Sequence, residues 1–157
     1  MFLHFILITK LKITSMENNT LNQLKAKWKA NSEAYKTLEI GSGVHSFVSE
    51  MFEAKEIFNL LKTPKYQKLG TFTHDTVLGK EGRPDFILYI DKEVTIPVEA
   101  KCYTRINEGI TQLQRYQIDY SKQYGILTDG YEWRFYRATT YSKFTIDEIL
   151  NKPNEFL

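Results

Sequence analysis

Between Gly82 and Lys101 the chain reads GRPDFILYIDKEVTIPVEAK. Asp85 opens one apolar run, and Glu99 and Lys101 stand two apart near the end of the next. On a strand that spacing puts Glu99 and Lys101 on one face and Val98, Ala100 and Cys102 on the other. A hairpin turn through Asp91 lays Asp85 alongside them. Two carboxylates converging on one point suit a hard cation, with Mg²⁺ the natural occupant and Mn²⁺ a second candidate. A lysine beside them can orient water and neutralise charge developing on a phosphate. The set fits in-line hydrolysis of a phosphodiester, with no amino-acid nucleophile required.

Further polar residues surround this stretch. Gln112 and Tyr116 lie four apart in TQLQRY, a spacing that shares one helix face. Arg83, Arg105, Arg115 and Lys122 flank the motifs and are candidates for contacts to phosphates that read no base. In YEWRFY, residues 131–136, a strand packing Trp133 and Phe135 on opposite faces is preferred to a base-stacking platform. The single cysteine, Cys102, permits no internal disulfide and reads as a small packed hydrophobe in a reducing, cytoplasmic setting.

The elements that must position these groups follow from hydrophobic period. A first helix is expected from a cap at Asn19 or Thr20 to about Glu39, with Leu21, Leu24, Trp28, Ala34, Tyr35 and Leu38 on its apolar stripe. Gly41–Ser42–Gly43 breaks it. A second helix runs from Val44 to Thr63, before Pro64, with Val44, Phe47, Val48, Met51, Ala54, Phe58 and Leu61 inward. Strands are expected over 71–78, 85–90 and 94–101, with turns at 82–84 and 91–93. A helix over 107–122 carries Ile106, Ile110, Leu113 and Tyr120 toward the core. Strands at 123–128 and 131–137 and a short helix at 146–150 complete the chain. Pro97, inside the strand of Glu99, predicts an edge or a local irregularity. The order α, α, β, β, β, α, β, β, α makes an α/β fold, a mixed sheet with flanking helices.

The 157 residues, 42% hydrophobic and 25% charged, exclude a collagen, a disordered tail and a disulfide-stapled miniprotein. A net charge of +2, from 21 basic and 19 acidic side chains, announces no nucleic-acid binder by itself. The apolar run Phe2–Ile8 is too short to cross a membrane and lacks the flanks of a secretory signal. Residues 1–15 are expected to be either an upstream over-reading before Met16 or an extra strand, and 16–157 a single domain.

Pro84–Asp85 and Glu99–Ala100–Lys101, in a strand–hairpin–strand context, resemble the PD-(D/E)xK nuclease superfamily. Gln112 and Tyr116 match the Gln-x-x-x-Tyr element of a subset of that superfamily, which includes Type I restriction subunits and recombination helicase–nucleases. GRPDFILY, VEAK, QLQRY and GILTDGYEWRFY are similar in order to the N-terminal nuclease domain of Type I and single-chain Type I-like restriction enzymes. The resemblance spans about residues 40–140. It implies a restriction-endonuclease-like fold and an Mg²⁺-dependent DNA endonuclease of a restriction or defence system. Asp85, Glu99, Lys101, Gln112 and Tyr116 would be its catalytic residues, and Asp85 and Glu99 its metal ligands. Gly41-x-x-x-His45 resembles an upstream element of recombination nucleases in which the histidine helps hold metal; Glu53 or Glu56 is the alternative third ligand. The implied partners are DNA and separate methyltransferase, specificity or helicase subunits, and cutting both strands would call for a homodimer. No GxxxxGK[ST] loop supplies a motor within the chain. The competing readings are a catalytically idle DNA-binding or assembly module and a repair or recombination nuclease.

Overall fold

The computed structural model describes residues 2–63, 69–74, 83–92, 94–121 and 123–152. Helix α1 spans Phe2–Tyr35 and α2 spans Val44–Glu53. Strands β1 Leu61–Lys62, β2 Thr71–His74, β3 Phe86–Tyr89 and β4 Thr95–Ala100 follow. A 3₁₀ turn, Ile106–Gly109, leads into α3, Ile110–Tyr116, which continues as a π-helical segment, Gln117–Ser121. Strands β5 Tyr124–Thr128, β6 Glu132–Arg137 and β7 Thr140–Thr145 precede α4, Ile146–Asn151. All seven described strands form one sheet in chain order. The β1–β2 and β4–β5 pairs are parallel and the other neighbours antiparallel, so the sheet is mixed as expected.

Strand alternation divides β4. Val98 and Ala100 enter the larger core with Phe47, Val48, Met51 and Phe52 of α2, Leu24 and Tyr35 of α1, and Ile149 of α4. Glu99 and Lys101 face the other side, where Leu113, Leu127 and Tyr136 form a smaller cluster beneath α3. Gly109 permits this close approach. A Cβ there would come 2.6 Å from Leu127 and 3.2 Å from both Glu99 and Lys101.

Several expectations need correction. Helix α1 runs through Asn19 and Thr20 without a cap, since a helix-interior polar residue costs only a few tenths of a kcal/mol. Residues 2–15 are therefore helical, and no extra strand forms there. Ala34 is exposed, and Leu38 lies beyond the helix at 47% exposure. Helix α2 stops ten residues before Thr63, because Ala54 turns extended and Asn59 takes a left-handed conformation (φ 53°). That reversal buries Ile57 and Leu60 and leaves Leu61 exposed on β1. The polar strand β7 was not anticipated. Tyr120 is exposed in the π-helical segment. Trp133 and Phe135, two apart on β6, pack on the same face, as strand period requires.

Pro97 makes no irregularity. Pairing of β4 with β3 is unbroken from Thr95 to Val98. The N–H of Ala100 goes to Asp85 on the β3 side and that of Lys101 to Thr128 on the β5 side. By alternation the nitrogen of Pro97 faces β5, where pairing begins only at Val98. The missing donor therefore falls where no ladder bond is made. The expected turn at 91–93 holds on its described residues, with Asp91 Oδ1 accepting the N–H of Val94 at 2.8 Å. Residues 75–78, Gly82, Glu93 and Pro64 of the expected elements lie outside the described residues.

The loop between α1 and α2 provides a test of this packing. A Cβ on Gly43 would strike the carbonyl of Leu38, whereas Gly41 (φ 70°) has open space around it. Gly43→Ala should lose more, up to about 3 kcal/mol through forced backbone shifts, than Gly41→Ala, which loses about 1 kcal/mol through strain alone. Urea denaturation of both variants checks the order; equal losses would contradict the close approach at Gly43.

Candidate metal centre

Asp85 stands one residue before β3, opposite Glu99. The β3–β4 ladder ends at the Phe86–Val98 pair, so the N–H of Ala100 lacks a backbone acceptor on that side. Asp85 Oδ2 takes it at 2.8 Å. The same oxygen lies 3.5 Å from Nε2 of His45, the second residue of α2. The carboxylate thus joins the start of β3, the end of β4 and the start of α2.

His45 is buried, and its Nε2 has no hydrogen-bond partner. Beside it stands Glu39, in the loop after α1. That loop folds back on α2: the carbonyl of Leu38 accepts the N–H of Val44 at 3.1 Å, and that of Glu39 accepts the N–H of His45 at 2.9 Å. Gly41, with positive φ, allows the reversal. One ligand atom each from Glu39, His45 and Asp85 all lie within 4.8 Å of one another. Two carboxylates and an imidazole are a donor set for a divalent cation, and the unpartnered His45 Nε2 supports that fit.

Glu99 and Lys101 form a pair next to this cluster, with Lys101 Nζ 2.8 Å from Glu99 Oε1. Glu99 is almost wholly buried, and its Oε2 has no partner. Burial, then the negative charge of Asp85, push its carboxyl up to about 7, against the lowering pull of Lys101. Burial disfavours the charged form of Lys101. The hydrogen bond and charge of Glu99, with Glu39 and Asp85 behind, outweigh that and hold its ammonium above the ordinary value. Glu99 is outside the three-residue set, and Oε2 is the oxygen it has left to offer.

The other expected residues are more dispersed. Tyr116 is buried on α3; burial raises its hydroxyl, and the charges of Glu99 and Asp85 add to that. Gln112 is half-buried on the same helix. Arg115 is exposed with its guanidinium 5.3 Å from the Tyr116 ring centre, and Arg105 is exposed and paired with Glu108 at 2.8 Å. Arg83 is exposed just before Asp85. Lys122 lies outside the described residues. Glu53 is exposed on α2 and Glu56 follows the helix; neither joins His45 and Asp85 in the cluster. Glu39 takes that place and was missed. The signal available was an acid six residues before His45 across two glycines, the spacing of a chain reversal.

The position of the Glu99 carboxyl is directly measurable. Carbon-detected NMR should give a midpoint near 7 in the cation-free protein, lower in Asp85→Asn and higher in Lys101→Met. Because the folded value lies above the ordinary 4.5, this group makes the protein lose stability as pH rises between the two. A midpoint near 4.5 in all three proteins would mean that water reaches the carboxyl.

No curated protein and no solved structure matched. The family model described as Type I restriction enzyme R protein N terminus (HSDR_N) matches residues 6–144. That span contains Glu39, His45 and the loop between them, the β3–β4 hairpin with Asp85, Glu99 and Lys101, and all of α3. With most of its length inside that match, the chain belongs to the Type I restriction enzyme R protein N-terminus family, a PD-(D/E)xK-like nuclease domain.

Proposed function

We propose that the chain is a Mg²⁺-dependent DNA endonuclease domain that hydrolyses phosphodiester bonds as part of a cytoplasmic restriction system. The observation that carries this reading is the meeting of Glu39, His45 and Asp85 beside the Glu99–Lys101 pair. Glu39, His45 and Asp85 would hold the cation, with Glu99 Oε2 close at hand; Mn²⁺ would serve where Mg²⁺ does, and the imidazole favours it. A cation held there would supply Lewis-acid chemistry at the phosphate. Lys101 Nζ neutralises charge developing on the phosphate oxygens. Glu99, with its carboxyl near 7, would take up the proton released in the reaction at its buried Oε2. Gln112 and Tyr116 of α3 would order Lys101 or the DNA backbone, Tyr116 being buried and within electrostatic reach of Glu99 and Asp85.

The partners of this reading are DNA and the methyltransferase and specificity subunits of a Type I system, with cutting of both strands calling for two copies of the site. Arg83, Arg105, Arg115 and Lys122 would contact phosphates. Among the described residues no helix is long and apolar enough to cross a membrane.

Plasmid cleavage separates the roles. Supercoiled DNA should be nicked with Mg²⁺ and remain intact with EDTA. Asp85→Asn, which keeps an oxygen for the N–H of Ala100, should lose both cleavage and cation affinity. Lys101→Ala should keep cation affinity and lose cleavage by roughly 10²–10³-fold. Cleavage in EDTA, or wild-type rates in Lys101→Ala, would sink the assignment.

With contacts to phosphates through Arg83, Arg105, Arg115 and Lys122 that read no base, the isolated chain should bind duplex DNA weakly and in a salt-sensitive way, on the order of 10⁻⁴–10⁻⁶ M at physiological salt. Retention of one genomic fragment about 10³-fold over bulk DNA would contradict this and make the chain a sequence reader.

A further inference from the structure

His74 ends β2 directly opposite Phe86, the residue after Asp85. Its ring stacks on Phe86 with centres 4.3 Å apart and planes 14° apart. Its Nε2 lies 3.0 Å from Nδ1 of His45. Phe86 also packs against His45, at 5.5 Å between ring centres. The β2–β3 register therefore holds two imidazoles at one side of the cluster, in contact through one nitrogen each.

One of the two rings must supply the proton of the contact between them. If His74 donated, neutral His45 would carry its own proton on Nε2. That buried nitrogen has no hydrogen-bond partner, and its nearest carboxylate oxygen is 3.5 Å away. A buried Nε2 without a partner costs about 1–3 kcal/mol in either tautomer, and of the two only the lone-pair form can be satisfied by a cation held with Glu39 and Asp85. If His45 donates from Nδ1, its Nε2 instead presents a lone pair toward Asp85, the form a metal-binding imidazole requires.

We propose that His74 is a positioning residue of the centre: by accepting the Nδ1–H of His45 it fixes the tautomer and ring orientation that turn Nε2 toward a divalent cation. This rests on the cation reading of Glu39, His45 and Asp85 given above. His74 is not one of the three clustered ligands. Its contribution is to keep a buried ligand from rotating or tautomerising away from the cluster.

The test uses the whole chain, labelled with ¹⁵N-histidine, and two variants. His74→Phe keeps a ring against Phe86 but has no acceptor; His74→Gln places an amide oxygen near the position of Nε2. Long-range ¹H–¹⁵N spectra of the cation-free protein should show His45 protonated at Nδ1, and the three histidines of the chain keep assignment simple. In His74→Phe that single tautomer should be lost and Mn²⁺ affinity, followed by calorimetry, should fall about 10–100-fold. His74→Gln should recover most of both. Circular dichroism verifies folding, and if His74→Phe does not fold, His74→Gln against wild type decides by the tautomer. A His45 proton on Nε2 in wild type, or Mn²⁺ affinity in His74→Phe within twofold of wild type, would overturn the role of His74 alone. No Mn²⁺ binding by wild type would overturn the cation reading, and this inference with it.

Discussion

Asp85 Oδ2 accepts the N–H of Ala100 at 2.8 Å while standing 3.5 Å from the imidazole of His45. The first contact finishes the β3–β4 ladder where backbone pairing has run out. The second aims the same carboxylate at the start of α2. Leaving the N–H of buried Ala100 without an acceptor costs about 1–3 kcal/mol, so the orientation of Asp85 is held by the sheet itself. The remaining groups of the cluster are arranged around that fixed carboxylate. Glu99 lies across the hairpin, and His45 and Glu39 arrive on the loop and helix packed above it.

Positioning α2 there depends on the larger core. Trp28 of α1 lies within ring contact of Tyr35, Phe47, Tyr103 and Tyr131. A Cβ on Gly130 would come 2.7 Å from it. Phe52 of α2 meets Phe72, Phe86 and Trp133 across the sheet. These aromatics fix α1 and α2 against the strands, and so fix the loop carrying Glu39. On the opposite face Gly109 lets the turn before α3 press on Glu99 and Lys101, which shuts out water and raises the Glu99 carboxyl. One side of β4 is therefore an oily anchor and the other a dry polar pair.

The β3–β4 hairpin was legible because a period of two, a turn rich in charge and a carboxylate at a strand start are local signals. The start of α2 and its first two turns were legible for the same reason, since their apolar spacing is clean. Glu39 was not. It is placed by a backbone reversal whose outcome depends on Gly41 turning left-handed and Gly43 passing against Leu38. His74 was hidden similarly, as only the β2–β3 register brings it to His45. The end of α2 failed as a sequence reading because burial of Ile57 and Leu60 in a turn outweighs helix propensity. The strand β7 carries few apolar residues and is held by its ladder to β6.

The central claim is that Glu39, His45 and Asp85 enclose one divalent cation. Anomalous diffraction from crystals of this chain soaked in Mn²⁺ tests it most directly. The account predicts a single strong peak bounded by Glu39 and Asp85 oxygens and Nε2 of His45, at about 2.0–2.3 Å from each. No peak at saturating Mn²⁺, or one bound elsewhere while these three side chains keep their present contacts, would contradict it.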